Sequence, residues 1–170
     1  FKKSDLVDKN LETTPGDVVD EVKESENNVI KDLKYNINLG QNNKYIINSE
    51  LSEITYQGGS EVVNMQGVTA VFIDKNQIPI EVSSDLAKYN NNNYETLFEK
   101  NVKIKYLDHE MFSNEMLFDF ENQIIKIYKN VKYNGTLGQM ITDNIDINLI
   151  MNKIDIYMDG DKKNVEVISN

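Results

Sequence analysis

The sequence contains no cysteine and no arginine, one histidine among 170 residues, and no apolar run long enough to cross a membrane. Without cysteine, the chain can form neither a disulfide framework nor a thiolate metal site or nucleophile. Without arginine, it lacks the planar side chain that usually binds phosphate or carboxylate through two parallel hydrogen bonds. All 18 basic residues are lysines, and 28 acidic residues bring the net charge to −10. A field of this sign argues against binding to nucleic acid.

The beginning of the chain has a composition of its own. It opens with Phe1-Lys2-Lys3, without an initiator methionine or a signal-peptide pattern, and we expect a piece of a longer protein. Residues 1–33 are acidic and contain only scattered apolar side chains. Such a segment buries too little surface to offset the entropy of ordering, which predicts a flexible linker; a docked N-terminal helix is the alternative. We expect residues 34–170 to form one folded domain.

From residue 35 onward, apolar and polar side chains alternate with a period of two, which predicts strand after strand. Short clusters that tolerate positive φ separate the strands, among them Asn134-Gly135 and Asp159-Gly160. Because short loops join antiparallel neighbours, we predict an all-β meander of hairpins. The predicted strands are 35–39, 44–56, 60–73, 78–89, 94–106, 111–120, 123–133, 137–149, 152–158 and 163–168.

Part of this pattern is a repeat. Ile125-x-Ile127-Tyr128 recurs as Ile154-x-Ile156-Tyr157, and Lys100-Asn101-Val102-Lys103 recurs as Lys129-Asn130-Val131-Lys132. Both intervals, from 125 to 154 and from 102 to 131, are 29 residues. Repeats of this kind are typical of a sheet that grows by the addition of similar units, each covering the apolar face of its neighbours. The terminal strands of such a sheet are exposed edges.

The alternation also predicts which side chains face inward. Phe112, Met116, Phe118 and Phe120 are expected on one face, with Leu117 on the other. The same register turns Ile141, Ile145, Ile147 and Leu149 inward, and two curved sheets could face each other across these stripes. An apolar stripe is more often plain core than a ligand site. Phe and Met beside Ile and Val would nevertheless suit flexible apolar ligands.

Enzymatic chemistry has little support in the sequence. Asp108-His109-Glu110 contains the one histidine, between two carboxylates, and could be imagined as an acid–base pair or a metal ligand. The segment falls at a predicted hairpin turn, so solvated turn residues are the simpler interpretation. We assign no catalytic residue, metal or cofactor.

The run DLAKYNNNNYETLFEKNVKIKYLDHEMFSNEMLFDFENQIIKIYKNVKY, with x-x-Asn-Val at strand starts and Ser/Thr-Asn/Asp-x-apolar in strand middles, resembles the LptC family. GQMITDNIDINLIMNKIDIYMDGDKKNVEVIS extends the resemblance, which covers roughly residues 44–169. LptC is the periplasmic component of the lipopolysaccharide transport bridge of Gram-negative bacteria, anchored in the inner membrane. The periplasmic bridge protein LptA and the N-terminal domain of LptD share the repeat. An acidic linker behind a missing membrane helix favours LptC.

The resemblance implies an antiparallel β-jellyroll, open like a V-shaped boat, whose apolar groove carries acyl chains of lipopolysaccharide. It implies no enzyme activity and no cofactor. The expected partners are lipopolysaccharide, subunits of the inner-membrane ABC transporter at the N-terminal edge, and an LptA-like bridge protein at the C-terminal edge, joined by strand addition. The alternatives are a soluble LptA-like bridge protein and a purely structural β-repeat protein that assembles through its edges without binding lipid.

No invariant motif marks the lining of the groove, so only the inward positions carry over from the resemblance. The predicted groove residues are Ile47, Leu51, Val82, Leu86, Val102, Ile104, Phe112, Met116, Phe118, Phe120, Ile125, Ile127, Ile141, Ile145, Ile147 and Ile156.

Overall fold

The computed structural model describes residues 10–11, 28–40, 42–136, 138–160 and 166–168. The described residues form strands and turns, with no helix among them. One antiparallel sheet runs in chain order from the first strand to the tenth, and the eleventh pairs with the ninth. This confirms the predicted all-β antiparallel fold. The strands are β1 (Asn10–Leu11), β2 (Asn28–Leu39), β3 (Asn43–Gln57), β4 (Ser60–Ile73), β5 (Pro79–Asn90), β6 (Glu95–Tyr106), β7 (His109–Asp119), β8 (Ile124–Gly135), β9 (Gly138–Asn148), β10 (Lys153–Tyr157) and β11 (Glu166–Ile168).

The N-terminal boundary of the folded part differs from the prediction. Strand β2 begins at Asn28, and its first residues pair with the second half of β3, where Asn28 lies opposite Ile54. Residues 28–33 therefore belong to the sheet, and so do Asn10 and Leu11, which pair with β2. Pairing with a neighbouring strand outweighs the polar composition of these segments. The rest of the predicted linker, 1–9 and 12–27, lies outside the described residues.

The long strands carry a corner, a short irregular stretch at which the inward face changes parity. In β7, Ser113 and Met116 are both buried, although a spacing of three puts side chains of a regular strand on opposite faces. The Ser113 hydroxyl donates to the backbone carbonyl of Glu115 at 2.9 Å. In β5, the Ser84 hydroxyl donates to the carbonyl of Leu86 at 2.8 Å. These local bonds replace a regular ladder contact and bend the strand.

At the corners of β6 and β8, two consecutive residues lie in the left-handed region. Lys100 and Asn101 in β6 have φ values of 64° and 51°, and Lys129 and Asn130 in β8 have values of 63° and 60°. The register shifts at the same points. The repeated Lys-Asn-Val is therefore a corner in the middle of a strand, and its interpretation as a strand start was wrong.

The corners divide the sheet into two wings. The first wing consists of residues 33–39, 43–49, 68–73, 79–84, 102–106, 109–113, 131–135 and 138–142. The second wing consists of residues 28–31, 51–57, 60–66, 86–90, 95–99, 115–119, 124–128, 144–148 and 153–157.

The two wings pack face to face. The rings of Tyr45 and Phe72, in the first wing, lie 4.8 and 5.1 Å from the ring of Phe118 in the second. Because β7 is not a hydrogen-bonded neighbour of β3 or β4, these contacts cross the interior. Tyr35 and Tyr89 make a similar contact, with ring centroids 5.1 Å apart. The single sheet thus folds over on itself and encloses an apolar interior.

The corner geometry predicts that Lys100→Gly raises the free energy of unfolding by about 1 kcal/mol. A non-glycine residue in the left-handed region costs roughly 1–2 kcal/mol, and the greater freedom of glycine in the unfolded chain offsets part of the gain. Lys105, which is exposed on the same strand and lacks a positive φ, provides the control. Lys105→Gly should lower the free energy of unfolding by about 0.5–1 kcal/mol. Urea unfolding measures both changes. A lower free energy of unfolding in Lys100→Gly would contradict the left-handed geometry at this corner.

Candidate functional site

Two rows of inward side chains cross the second wing from strand to strand. The Phe118 row is set by direct register: Phe118 lies opposite Ile125, Ile125 opposite Ile147, and Ile147 opposite Ile154. The Phe118 row consists of Val63, Tyr89, Thr96, Phe118, Ile125, Ile147 and Ile154. The Met116 row consists of Met65, Ala87, Phe98, Met116, Ile127, Ile145 and Ile156. Neither row contains a charged side chain.

Exposure changes sharply along both rows. Phe118 and Ile125 are 2% and 1% exposed, whereas Ile154 at the end of the same row is 61% exposed. In the Met116 row, Ile145 is 2% exposed and its cross-strand neighbour Ile156 is 40% exposed. The interior is therefore closed in its middle and open at β10, where large apolar side chains on the inward face meet solvent.

The first wing supplies the opposite wall. A further row of inward residues crosses it, again without a charged side chain, and becomes partly exposed toward β9. This row consists of Tyr35, Ile47, Ala70, Val82, Ile104, Met111, Tyr133 and Met140. The two walls together form an apolar cleft that is packed at one end and accessible at the other.

Most of the predicted groove residues lie on the inward face. The structure brings together Ile47, Val82, Val102, Ile104, Met116, Phe118, Phe120, Ile125, Ile127, Ile145, Ile147 and Ile156. The exposed Ile156 belongs to this face because its partner in the register, Ile145, is buried.

Four predicted groove residues lie on the outer face, and their inward assignment was wrong. Phe112 lies opposite Lys103 and Lys132 and is 37% exposed. Ile141 also lies opposite Lys132. The corners are the reason, because alternation counted through a change of parity places every residue beyond it on the wrong face.

The other two errors occur at the corners of β3 and β5. Leu51 and Leu86 both lie opposite the exposed Gln66. Their chain neighbours Ser52 and Ala87 occupy the interior instead. No charged or bulky side chain marks these positions as outward, so the corner hydroxyl was the only available signal.

Several interior residues were missed by the sequence analysis. The aromatic contacts across the interior involve Tyr45 and Phe72, and Tyr89, Thr96 and Phe98 are buried in the second wing. Tyr45 alternates with the predicted Ile47, so the same alternation could have identified it. Thr96 carried no such signal, because a threonine on a strand more often faces solvent.

The one histidine makes a structural contact. The ring of His109 stacks on Tyr133, and its Nδ1 lies 2.6 Å from the Tyr133 hydroxyl. The adjacent Glu110 pairs instead with Lys103 at 3.1 Å, and this contact lowers the pKa of the Glu110 carboxyl. His109 and Glu110 therefore do not form an acid–base pair. In the described part of the chain, no cluster of three or more His, Asp or Glu could hold a metal ion.

No helix among the described residues is long and apolar enough to cross a membrane.

Comparison with known proteins gives the family. A search of curated proteins finds no match. The family model of "Lipopolysaccharide-assembly, LptC-related" proteins matches residues 9–159, which include nearly the whole described sheet. Members of the LptC family are periplasmic, membrane-anchored components of the lipopolysaccharide transport bridge. Since the match covers residues 9–159 of the 170-residue chain, the chain belongs to the LptC family.

Proposed function

We propose that this chain binds the acyl chains of lipopolysaccharide between its two wings and passes the lipid from an inner-membrane ABC transporter toward a periplasmic bridge. Membership of the LptC family supports a role in lipopolysaccharide transport. The observation that carries the finer proposal is the continuity of the Phe118 and Met116 rows, from the packed middle to the exposed Ile154 and Ile156. A chain entering at β10 meets one uninterrupted apolar wall.

The physical chemistry of the cleft fits acyl chains and not sugars. Burying a methylene group contributes about 0.8 kcal/mol, so a few carbons against Ile154 and Ile156 give a substantial binding energy. Sugars and phosphates would lose water without finding charged partners, because the three rows contain none. The lipid headgroup is thus expected to stay in solvent while the acyl chains lie inside.

The edges of the sheet are the proposed contacts with neighbouring proteins in the periplasm. The N-terminal edge would face subunits of the transporter, and β10 at the C-terminal edge would pair with an LptA-like protein by strand addition. Successive N–H groups of a strand point to opposite sides, so a proline at Ile154 or at Asp155 removes a donor from one side or the other. At one of these two positions the wild-type N–H points away from β9. A proline there should abolish co-purification with the LptA-like protein and leave the melting temperature unchanged.

The handover needs no bond to be made or broken, and we propose no enzymatic step. Lipid moves to the site of higher affinity, and the energy for net transport comes from the transporter. The runner-up function is a structural module that joins its neighbours through its edges while the interior stays dry. The closed packing around Phe118 favours this alternative, and ligand binding separates the two.

Thermal unfolding with and without lipid tests the proposed function. A ligand present at 100 times its dissociation constant stabilises the folded state by about 2.7 kcal/mol. We expect lipopolysaccharide to raise the melting temperature and its chemically deacylated saccharide to leave it unchanged. An equal rise with both ligands would place binding at the headgroup, and no rise with either would favour the structural module.

A further inference from the structure

Three hydroxyl groups in the interior have no hydrogen-bond partner among the described residues. They belong to Tyr45, Tyr89 and Thr96, which are 1%, 1% and 0% exposed. Most buried polar groups in folded proteins are hydrogen-bonded, so three unpartnered hydroxyls in one interior require a reason. We refer to these three residues as the hydroxyl cluster.

The members of the cluster come from both wings, and Tyr45 and Tyr89 each lie near Thr96. Thr96 is directly opposite Tyr89 on one side and Phe118 on the other. Tyr45 reaches Phe118 from the first wing, edge to face. Burial raises the pKa of the Tyr45 hydroxyl, and the nearby Thr96 hydroxyl acts in the opposite direction. The Tyr45 and Thr96 hydroxyls therefore lie near each other across the interior, although neither has a partner at hydrogen-bond geometry among the described residues.

Water does not supply the missing partners beside Tyr89. An apolar crevice lies there between the wings, but it has no room for a water molecule. Its walls include Tyr35, Ile47 and Met65 together with Tyr89. Burial strongly raises the pKa of the Tyr89 hydroxyl, as expected of a phenol that is kept dry and neutral.

We propose that the hydroxyl cluster binds an uncharged hydroxyl oxygen in the middle of an acyl chain when the wings part to admit lipid. This inference rests on the proposed function and names the class of chain that the cleft prefers. A plain hydrocarbon would leave all three hydroxyls unpartnered, whereas one oxygen can pair with two of them. A carboxylate or phosphate is excluded, because no charged side chain lies in the rows.

The distance from the open end defines a suitable probe. Thr96 on β6 and the partly exposed Ile147 on β9 are three strands apart in one row, about 14 Å at ordinary strand spacing. A hydroxyl in the middle of a long chain can therefore reach the cluster while the terminal carboxylate stays in water. The matched probes are 12-hydroxyoctadecanoic acid and octadecanoic acid.

Binding of the two acids to the full chain tests the inference. We expect the hydroxylated acid to bind about tenfold more tightly, the effect of one net hydrogen bond. Equal affinities, with both acids bound, would overturn the inference and leave the proposed function intact. If neither acid binds and lipopolysaccharide does not stabilise the chain, the proposed function itself fails.

A variant locates the effect at the cluster. Tyr45→Phe combined with Thr96→Val removes two hydroxyls with little change of shape, and the preference should disappear. The melting temperature reports folding and should be unchanged or higher, because the hydroxyls have no partner to lose. If the double variant fails to fold, Tyr89→Phe serves instead. A folded variant that keeps the tenfold preference would refute the role of the cluster.

Discussion

Phe118→Ala is expected to lower the free energy of unfolding by about 3–5 kcal/mol, a large part of the total stability of a domain of this size. Phe118 is 2% exposed and contacts Tyr45 and Phe72 across the interior. Its removal leaves a cavity at the point where the two wings meet, and neighbouring strands held by ladder hydrogen bonds cannot collapse to fill it. Urea unfolding measures the loss.

The adjacent residue is the control for this effect. Leu117 points to the outer face, opposite Leu97 and Lys126, and is partly exposed. Leu117→Ala should therefore cost about 1 kcal/mol, because little of the side chain is removed from a packed environment. Similar losses in the two variants would mean that the interior does not lie on the Phe118 side of β7.

Lipopolysaccharide binding should fall about 100-fold when Ile154 and Ile156 are both replaced by asparagine. Full burial of an isoleucine side chain contributes roughly 1.5–3 kcal/mol, so partial burial of two against lipid accounts for about 2.7 kcal/mol. Both side chains are already exposed in the free protein, and the free energy of unfolding should change by less than about 1 kcal/mol. Titration with labelled lipopolysaccharide gives the affinity.

The matched control replaces the outward neighbours on the same strand. Lys153 and Asp155 form an exposed ion pair at 2.9 Å, and Lys153→Asn with Asp155→Asn leaves the net charge unchanged. This variant should bind lipopolysaccharide like the wild type. A similar loss in both double variants would indicate that β10 matters as an edge strand and not through its apolar face.

The strands and their order could be predicted from the sequence because alternation is a local signal. The predicted strand 60–73 coincides with β4, and the predicted strand 94–106 differs from β6 by one residue. The start of β2 at Asn28 could not be predicted, since polar residues such as Asn28 and Lys31 join the sheet through their pairing with β3. That pairing depends on the tertiary structure, which composition does not record.

The faces of the strands could be predicted only between corners. The motif Ser113-Asn114-x-Met116 was visible in the sequence, but its consequence is a change of parity that depends on a facing pair such as Lys129-Asn130. Phe112 was therefore placed inward, although Ser113 occupies the interior. The hydroxyl cluster was missed for a related reason, because a polar residue on a strand indicates solvent unless the opposite wall is known.

The position of lipid relative to β10 tests the central claim most directly. A photo-crosslinking amino acid is placed at Ile156 in one variant and at Asp155 in another. Both positions are exposed, so access to solvent does not distinguish them. Only Ile156 continues the inward Met116 row, whereas Asp155 lies opposite Asp146 on the outer face. Capture of lipopolysaccharide at Ile156 and not at Asp155 is the predicted result. Equal capture at both positions, or capture at Asp155 alone, would contradict a lipid path between the wings.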